Sequence, residues 1–219
     1  MVGNAWGNKL FATVVGSLYD RAMQHDQVGN WYLQFIVGES TQGLLGAMDV
    51  VAQMPDGSAI LDVPCGGGIT LRRLRPEQRL RYVAADVSPT MLRRARQHID
   101  AGSSASAELV QCDITCMPFA DSEFDLIVCF SGLHCLPDPA AAVREIARCV
   151  RPGGRVIADV ALERQLRRTD ISMALGRCAG VFGPPATSTD VRRWFSDAEL
   201  TISNVTRAGA LAYVEAHRS

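Results

Sequence analysis

The sequence predicts an α/β fold of three layers, a mostly parallel sheet between helices, with an antiparallel strand closing one edge. Three observations carry this. Apolar runs at 58–63, 80–86, 107–112, 124–130 and 154–160 alternate with stretches of helical period or with helix caps. Strands that alternate with helices make right-handed crossovers into a parallel sheet covered on both faces. The first run, in "ILDVPCGGGIT", breaks into three consecutive glycines, the punctuation of a tight strand-to-helix turn. The tail, "ISNVTRAGALAYVEAH", reads as two strands around Ala208-Gly209, a hairpin that adds an antiparallel strand to the sheet.

The elements follow in order. Residues 1–54 read as amphipathic helix, with Trp6, Phe11, Tyr19, Trp31, Tyr32, Phe35 and Ile36 as apolar anchors. After the glycine turn a helix is expected to start. "SPTMLRRARQHI" carries Ser88 as N-cap and Pro89 at the first helical position, with Met91, Leu92, Ala95 and Ile99 along one face. "DPAAAVREIARCVRPGG" repeats the device: Asp138 caps, Pro139 follows, Val143, Ile146, Ala147 and Val150 point inward, and Pro152-Gly153-Gly154 is the expected stop. "TDVRRWFSDAEL" reads as a last helix before the hairpin. The turn into the fourth strand, "ADSEFD", is shaped by Asp121 and Asp125, and the arginines of "ERQLRRTD" read as a solvated helix face.

Bulk composition narrows the function classes. A chain of 219 residues, 47% hydrophobic, buries one substantial core and fits one domain. A net charge of -1 leaves no overall basic field for nucleic acid or an anionic membrane. Seven cysteines are an odd number in a chain too large to need stapling, and they contain no Cys-x-x-Cys pair. They read as reduced, buried small hydrophobes in a cytoplasm, without a metal site. "KLFATVVGSL" is followed by no small-residue cleavage site, and no apolar run approaches the roughly 18 residues of a membrane span.

A strand ending in Asp62, a glycine-rich turn and a helix start make the first unit of a nucleotide-binding sheet, whose ligands lie beyond the carboxyl ends of the strands. Asp86 ends the second strand, 20 residues after Gly66, the offset at which an acid accepts from ribose hydroxyls. A dinucleotide fingerprint would want a third glycine where Leu71 stands. The chain instead has Asp62-x-x-x-Gly66-x-Gly68. An acid ahead of the glycines suits a ligand with an ammonium group, such as S-adenosylmethionine, rather than a pyrophosphate.

Together "LDVPCGGG", "AADVSPTML", "QCDITCMPFADSEFDLIVC", "HCLPDPAAAVREIARCVRPGGRVI" and the final hairpin resemble the class I S-adenosylmethionine-dependent methyltransferases, of the small type related to quinone-biosynthesis enzymes, over about residues 55–216. The resemblance implies a Rossmann-like, seven-stranded sheet with its last strand antiparallel. It implies that Asp62, Cys65, Gly66 and Gly68 line the methionine part of the cofactor, Asp86 the ribose, and Val87 and Met91 the adenine face. Asp113 would accept from the adenine amino group with the Ile114 backbone nearby, and Phe130 and Ser131 would lie beside the sulfonium. Pro64 stands where many relatives have glycine.

His134, in "FSGLHCLPD" after the fourth strand, is the candidate catalytic residue, as a general base toward the acceptor. A brace for its loop, or packing beside the cofactor, are its other readings. Acceptor choice is expected from two lids on the core at 55–161. One is the segment 1–54. The other is the insertion 162–195, with Ile171, Leu175, Cys178 and Phe182 along one helical face, ahead of the closing hairpin at 196–219. The expected function is methyl transfer to a small, fairly hydrophobic acceptor. The competing readings are a non-catalytic relative that binds the cofactor and a nicotinamide-dependent oxidoreductase.

Overall fold

The computed structural model describes residues 37–38, 41–100 and 107–219. The N-terminal aromatic anchors, Trp6 through Ile36, lie outside the described residues. Seven strands form one sheet in the order β3-β2-β1-β4-β5-β7-β6: β1 (Ala59–Asp62), β2 (Arg81–Asp86), β3 (Ala107–Gln111), β4 (Phe124–Cys129), β5 (Val150–Ala161), β6 (Leu200–Ala208) and β7 (Leu211–Arg218). β1 to β5 are parallel, and β7 runs antiparallel to both β5 and β6. The fold class read from the sequence is the one observed. Chain order reverses at β1, whose neighbours are β2 and β4. That reversal opens a crevice at the carboxyl ends of β1 and β4.

The central strands are apolar on both faces because helices cover both. Ile60, Leu61, Leu126, Ile127 and Val128 have no exposed surface, each contributing about 1.5–3 kcal/mol of burial. The described helices are α1 (Thr41–Met48), α2 (Pro89–Asp100), α3 (Pro139–Cys149), α4 (Arg167–Cys178) and α5 (Ser188–Asp197). Asp138 caps α3 by accepting from the Ala141 N–H, and Val143 and Ile146 are buried as read. Ser88 Oγ accepts from the Met91 N–H at the start of α2.

Three expectations are corrected. The glycine turn leads into a short 3-10 segment, Thr70–Arg73, and not an α-helix. The chain is already extended at Leu74, ahead of Arg75-Pro76, and a proline disfavours helix in the residue before it. Helix α3 ends at Cys149, and Pro152-Gly153-Gly154 lies within β5 at a register shift against β4, because Val150 already pairs with Phe124. Finally, α4 presents Ile171, 54% exposed, and Leu175, 68% exposed, outward with Cys178, while Thr169 and Met173 are buried. Both stripes of this helix are partly apolar, so periodicity alone does not tell in from out. The inward stripe also contains Gly176, against which the Phe182 ring packs so closely that a methyl group there would sit 2.4 Å from it.

The seven cysteines are free thiols, but only Cys65, Cys129 and Cys149 are fully buried, and Cys116 and Cys178 are exposed. Among the described residues no helix is long and apolar enough to cross a membrane.

Candidate active site

A cavity of about 240 Å³ opens at the carboxyl edge of the sheet. Each of the first five strands delivers residues to it: Cys65 and Gly66 after β1, Asp86 and Val87 at β2, Asp113 and Ile114 after β3, Phe130 and Ser131 after β4, and Ala161 ending β5. The register brings these ends level, with Asp62 beside Ala84 and Val128.

Asp86 organises the glycine turn. Its Oδ2 accepts from the Gly66 N–H at 2.9 Å and its Oδ1 from the Ser88 N–H at 2.8 Å. Burial pushes its pKa up to about 6, against those two hydrogen bonds. Each oxygen keeps a second lone pair for a ligand.

The two predicted glycines diverge. Gly66, with φ +51°, faces open space where a side chain would project. Gly68, with φ +86°, does not line the cavity. A methyl group on it would meet the Ala95 Cα of α2 at 3.1 Å, so its role is close packing. The lining glycines that the sequence did not single out are Gly67 and Gly132.

Asp62 is also set back from the cavity wall, 1% exposed. Tyr82 donates to its Oδ2 at 2.9 Å from the neighbouring strand. Burial raises its carboxyl to about 7, opposed by hydrogen bonds from Tyr82 and Thr70 and assisted by the charge of Asp86. Tyr82 as a partner was not legible beforehand, because nothing in the sequence gives the register of β1 against β2.

Asp113 lines the cavity and accepts from both the backbone N–H and the hydroxyl of Thr115 through Oδ1, an Asx turn that uses only one of its carboxylate oxygens. Met91 and Val87 are on the wall as well. Pro64, the noted departure, has its partner in Gly132: a methyl group at Gly132 would sit 2.4 Å from the Pro64 Cδ.

His134 lies on the 3-10 segment Leu133–Cys135, lines the cavity and sits 5.8 Å from the Phe182 ring centroid. Much of the remaining wall comes from the expected lids and is mainly apolar, with Thr169 and Ser172 as polar members. Val37, Leu44 and Met48 arrive from the N-terminal side, and Met173 and Phe182 from the insertion.

Among the described residues lining this cavity the only acidic or basic side chains besides His134 are Asp86 and Asp113. There is no lysine or arginine to meet a pyrophosphate, and the short 3-10 segment after the glycines supplies no α-helix N-terminus. Two acids, a glycine backbone with open space above it and apolar walls fit a ligand with ammonium and sulfonium charges, a diol and a purine. A family model described as a methyltransferase domain matches residues 61–158, the strands that carry these groups. Over these strands the chain is similar to methyltransferases.

The chain is 37% identical over 116 residues to a ubiquinone biosynthesis O-methyltransferase of Alkalilimnicola ehrlichii, covering 50% of this chain and 45% of that one. It is 31% identical over 185 residues to methyltransferase GfsG of Streptomyces halstedii, covering 77% and 65%. The matches thus span less than two thirds of either relative. A geranyl diphosphate methyltransferase in complex with S-adenosylmethionine has the same fold, with a TM-score of 0.68 over 82% of this chain and 86% of that one at 12% identity.

Proposed function

We propose that the protein transfers a methyl group from S-adenosylmethionine to a small, largely apolar acceptor that carries no negative charge. One observation carries this reading: a cavity whose described charged groups are acidic and whose acceptor side is mainly apolar. The cationic cofactor is favoured there. An anionic acceptor would be repelled by Asp86 and Asp113 with no arginine or lysine to receive it. Similarity to enzymes of ubiquinone biosynthesis supports an acceptor of the ring-bearing, hydrophobic kind.

In this reading Asp86 receives the ribose hydroxyls, Val87, Met91 and Ile114 hold the adenine, and Asp113 takes its amino group through the oxygen that Thr115 leaves free. Cys65 and Gly66 border the methionine part, with Phe130 and Ser131 beside the sulfur. Asp62 acts from behind the turn, as a buried carboxylate whose charge a ligand ammonium offsets, and Gly68 keeps α2 against the turn. Bound there, S-adenosylmethionine supplies a methyl group on a positively charged sulfur, a strong electrophile. The work left to the chain is alignment and exclusion of water. The segment 1–54, in its described part Val37, Leu44 and Met48, and the insertion 162–195 act as lids that complete the acceptor half.

Calorimetric titration with S-adenosylmethionine, S-adenosylhomocysteine and NAD tests the cofactor assignment. Binding of the first two and not the third is expected, and NAD binding alone would overturn it. Turnover is then sought on a panel of neutral phenols and hydroquinones against their carboxylated analogues. A preference for the carboxylated set would refute the charge argument.

A further inference from the structure

The loop after β4 is tied to the end of β5 at two points. Asp159 Oδ1 accepts from the Ser131 N–H at 2.6 Å, and His134 Nδ1 accepts from the Ala161 N–H at 3.4 Å. β5 outruns its neighbour there, since the last β4 partner is Cys129 on Ala158 while β5 continues to Ala161. The imidazole therefore accepts from a strand N–H beyond the reach of the β4 ladder. The His134 carbonyl accepts from the Gly183 N–H at 3.0 Å, which fixes the backbone beneath the ring.

A neutral imidazole has one nitrogen that donates and one that accepts. With Nδ1 committed as acceptor, the proton belongs on Nε2. That nitrogen has no hydrogen-bond partner among the described residues; the ring is half-buried and lines the cavity. Burial lowers the His134 pKa to about 4, consistent with a ring that stays neutral. Ala161 and Phe182 contact the ring, and the cavity wall also carries Leu136, Met173, Thr169 and Ser172.

Building on the methyl-transfer reading, we infer that His134 is a fixed hydrogen-bond donor in the acceptor half of the cavity, presenting Nε2–H to an oxygen of the methyl acceptor. The same contact that braces the loop sets the tautomer. The nitrogen that faces the acceptor holds a proton, and the one with a lone pair is occupied by Ala161. His134 is then a specificity and positioning residue, and the acceptor class is narrowed to apolar molecules with a carbonyl, ether or phenolic oxygen beside the methylated position.

The tautomer is read directly from two-bond proton–nitrogen correlations on protein with labelled histidine. The His134→Gln spectrum identifies the signal among the chain's four histidines. Should that variant not fold, replacing His25, His98 and His217 leaves the His134 signals alone. The neutral Nε2–H pattern is expected at pH 7. An Nδ1–H pattern or a doubly protonated ring would overturn the inference.

Recognition is read with anisole and ethylbenzene, two probes of like shape that differ by an acceptor oxygen, each titrated into protein saturated with S-adenosylhomocysteine. The preference for anisole should fall about three- to tenfold in His134→Phe. An unchanged preference would leave His134 as a brace only and overturn the donor role. Saturation with S-adenosylhomocysteine is itself measured on the same samples, so a failure of the cofactor reading is seen separately.

Discussion

The Gly66 N–H donates to Oδ2 of Asp86 at 2.9 Å, across 20 residues of sequence. This one bond couples the turn after β1 to the end of β2. The carboxylate proposed to receive the cofactor ribose also holds the backbone on which the methionine part would rest. A change at Asp86 is therefore felt on both halves of the cofactor.

Asp86→Ala should weaken S-adenosylhomocysteine by about 1.5–3 kcal/mol, roughly ten- to a hundredfold, the range for hydrogen bonds to a charged group. Asp86→Asn should do nearly as much harm. Its amide NH₂ must face either the Gly66 or the Ser88 N–H, donor against donor. Calorimetry on folded variants checks this. An asparagine variant of unchanged affinity would remove the ribose assignment.

Gly66 and Gly68 should separate in their effects although both have positive φ. A side chain on Gly66 enters open space over the cavity. Gly66→Ala should therefore cost about 1 kcal/mol of stability for the left-handed backbone while reducing cofactor affinity at least tenfold. Gly68→Ala meets Ala95 Cα at 3.1 Å and should lose about 2–3 kcal/mol of stability, with a smaller effect on affinity. Denaturant melts and titrations on the two proteins decide it. Equal profiles would refute the division of labour.

What was legible in the sequence follows from where the signal is local. The caps at Ser88 and Asp138 and the apolar strands are set by neighbours in the chain, and they form where they were read. Asp86 was legible because the offset from Gly66 reports a turn and a crossover of standard length. Tyr82 beneath Asp62, Gly132 beneath Pro64 and Ala161 against His134 were not. Each is a contact between strands or loops whose relative register is set only when the sheet forms. The outward stripe of α4 was misread for a related reason: the helix carries apolar residues on both stripes, Met173 against the cavity and Ile171 and Leu175 outside.

Pro64 and Gly132 should behave as a coupled pair. Gly132→Ala drives a methyl group to 2.4 Å from Pro64 Cδ and 3.0 Å from the Cys129 Sγ, so it should destabilise the protein by about 2–3 kcal/mol. Adding Pro64→Gly removes the ring that the new methyl group meets and should recover about half of that loss. A double-mutant cycle measured by urea melts gives the coupling. Strict additivity would mean that the loop simply moves aside.

The buried acids predict how cofactor binding depends on pH. The Asp62 and Asp86 carboxyls are raised from an ordinary 3.8 to about 7 and about 6, chiefly by burial. Each therefore binds its proton more tightly in the folded chain than in the unfolded one. Their contribution to stability is complete below about pH 4 and is lost as pH rises through 6 and 7. The two acids together lose about 4 kcal/mol between pH 5 and 7.5, while His134, lowered from 6.5 to about 4, restores about 2 kcal/mol as pH rises to 6.5, so the ligand-free protein should become less stable by a net amount on the order of 2 kcal/mol. A ligand bringing an ammonium group favours the ionised carboxyls. The rise in melting temperature produced by saturating S-adenosylhomocysteine should grow over the same interval. Asp62→Asn removes the larger of the two shifts while leaving an oxygen to accept from Tyr82. That variant should show a flatter stability profile without ligand and a smaller pH-dependent gain with it. Thermal melts at half-unit pH steps, with and without ligand, measure both curves. If the wild-type gain is constant from pH 5 to 7.5, the ammonium of the ligand does not sense these carboxylates, and Asp62 serves the sheet alone.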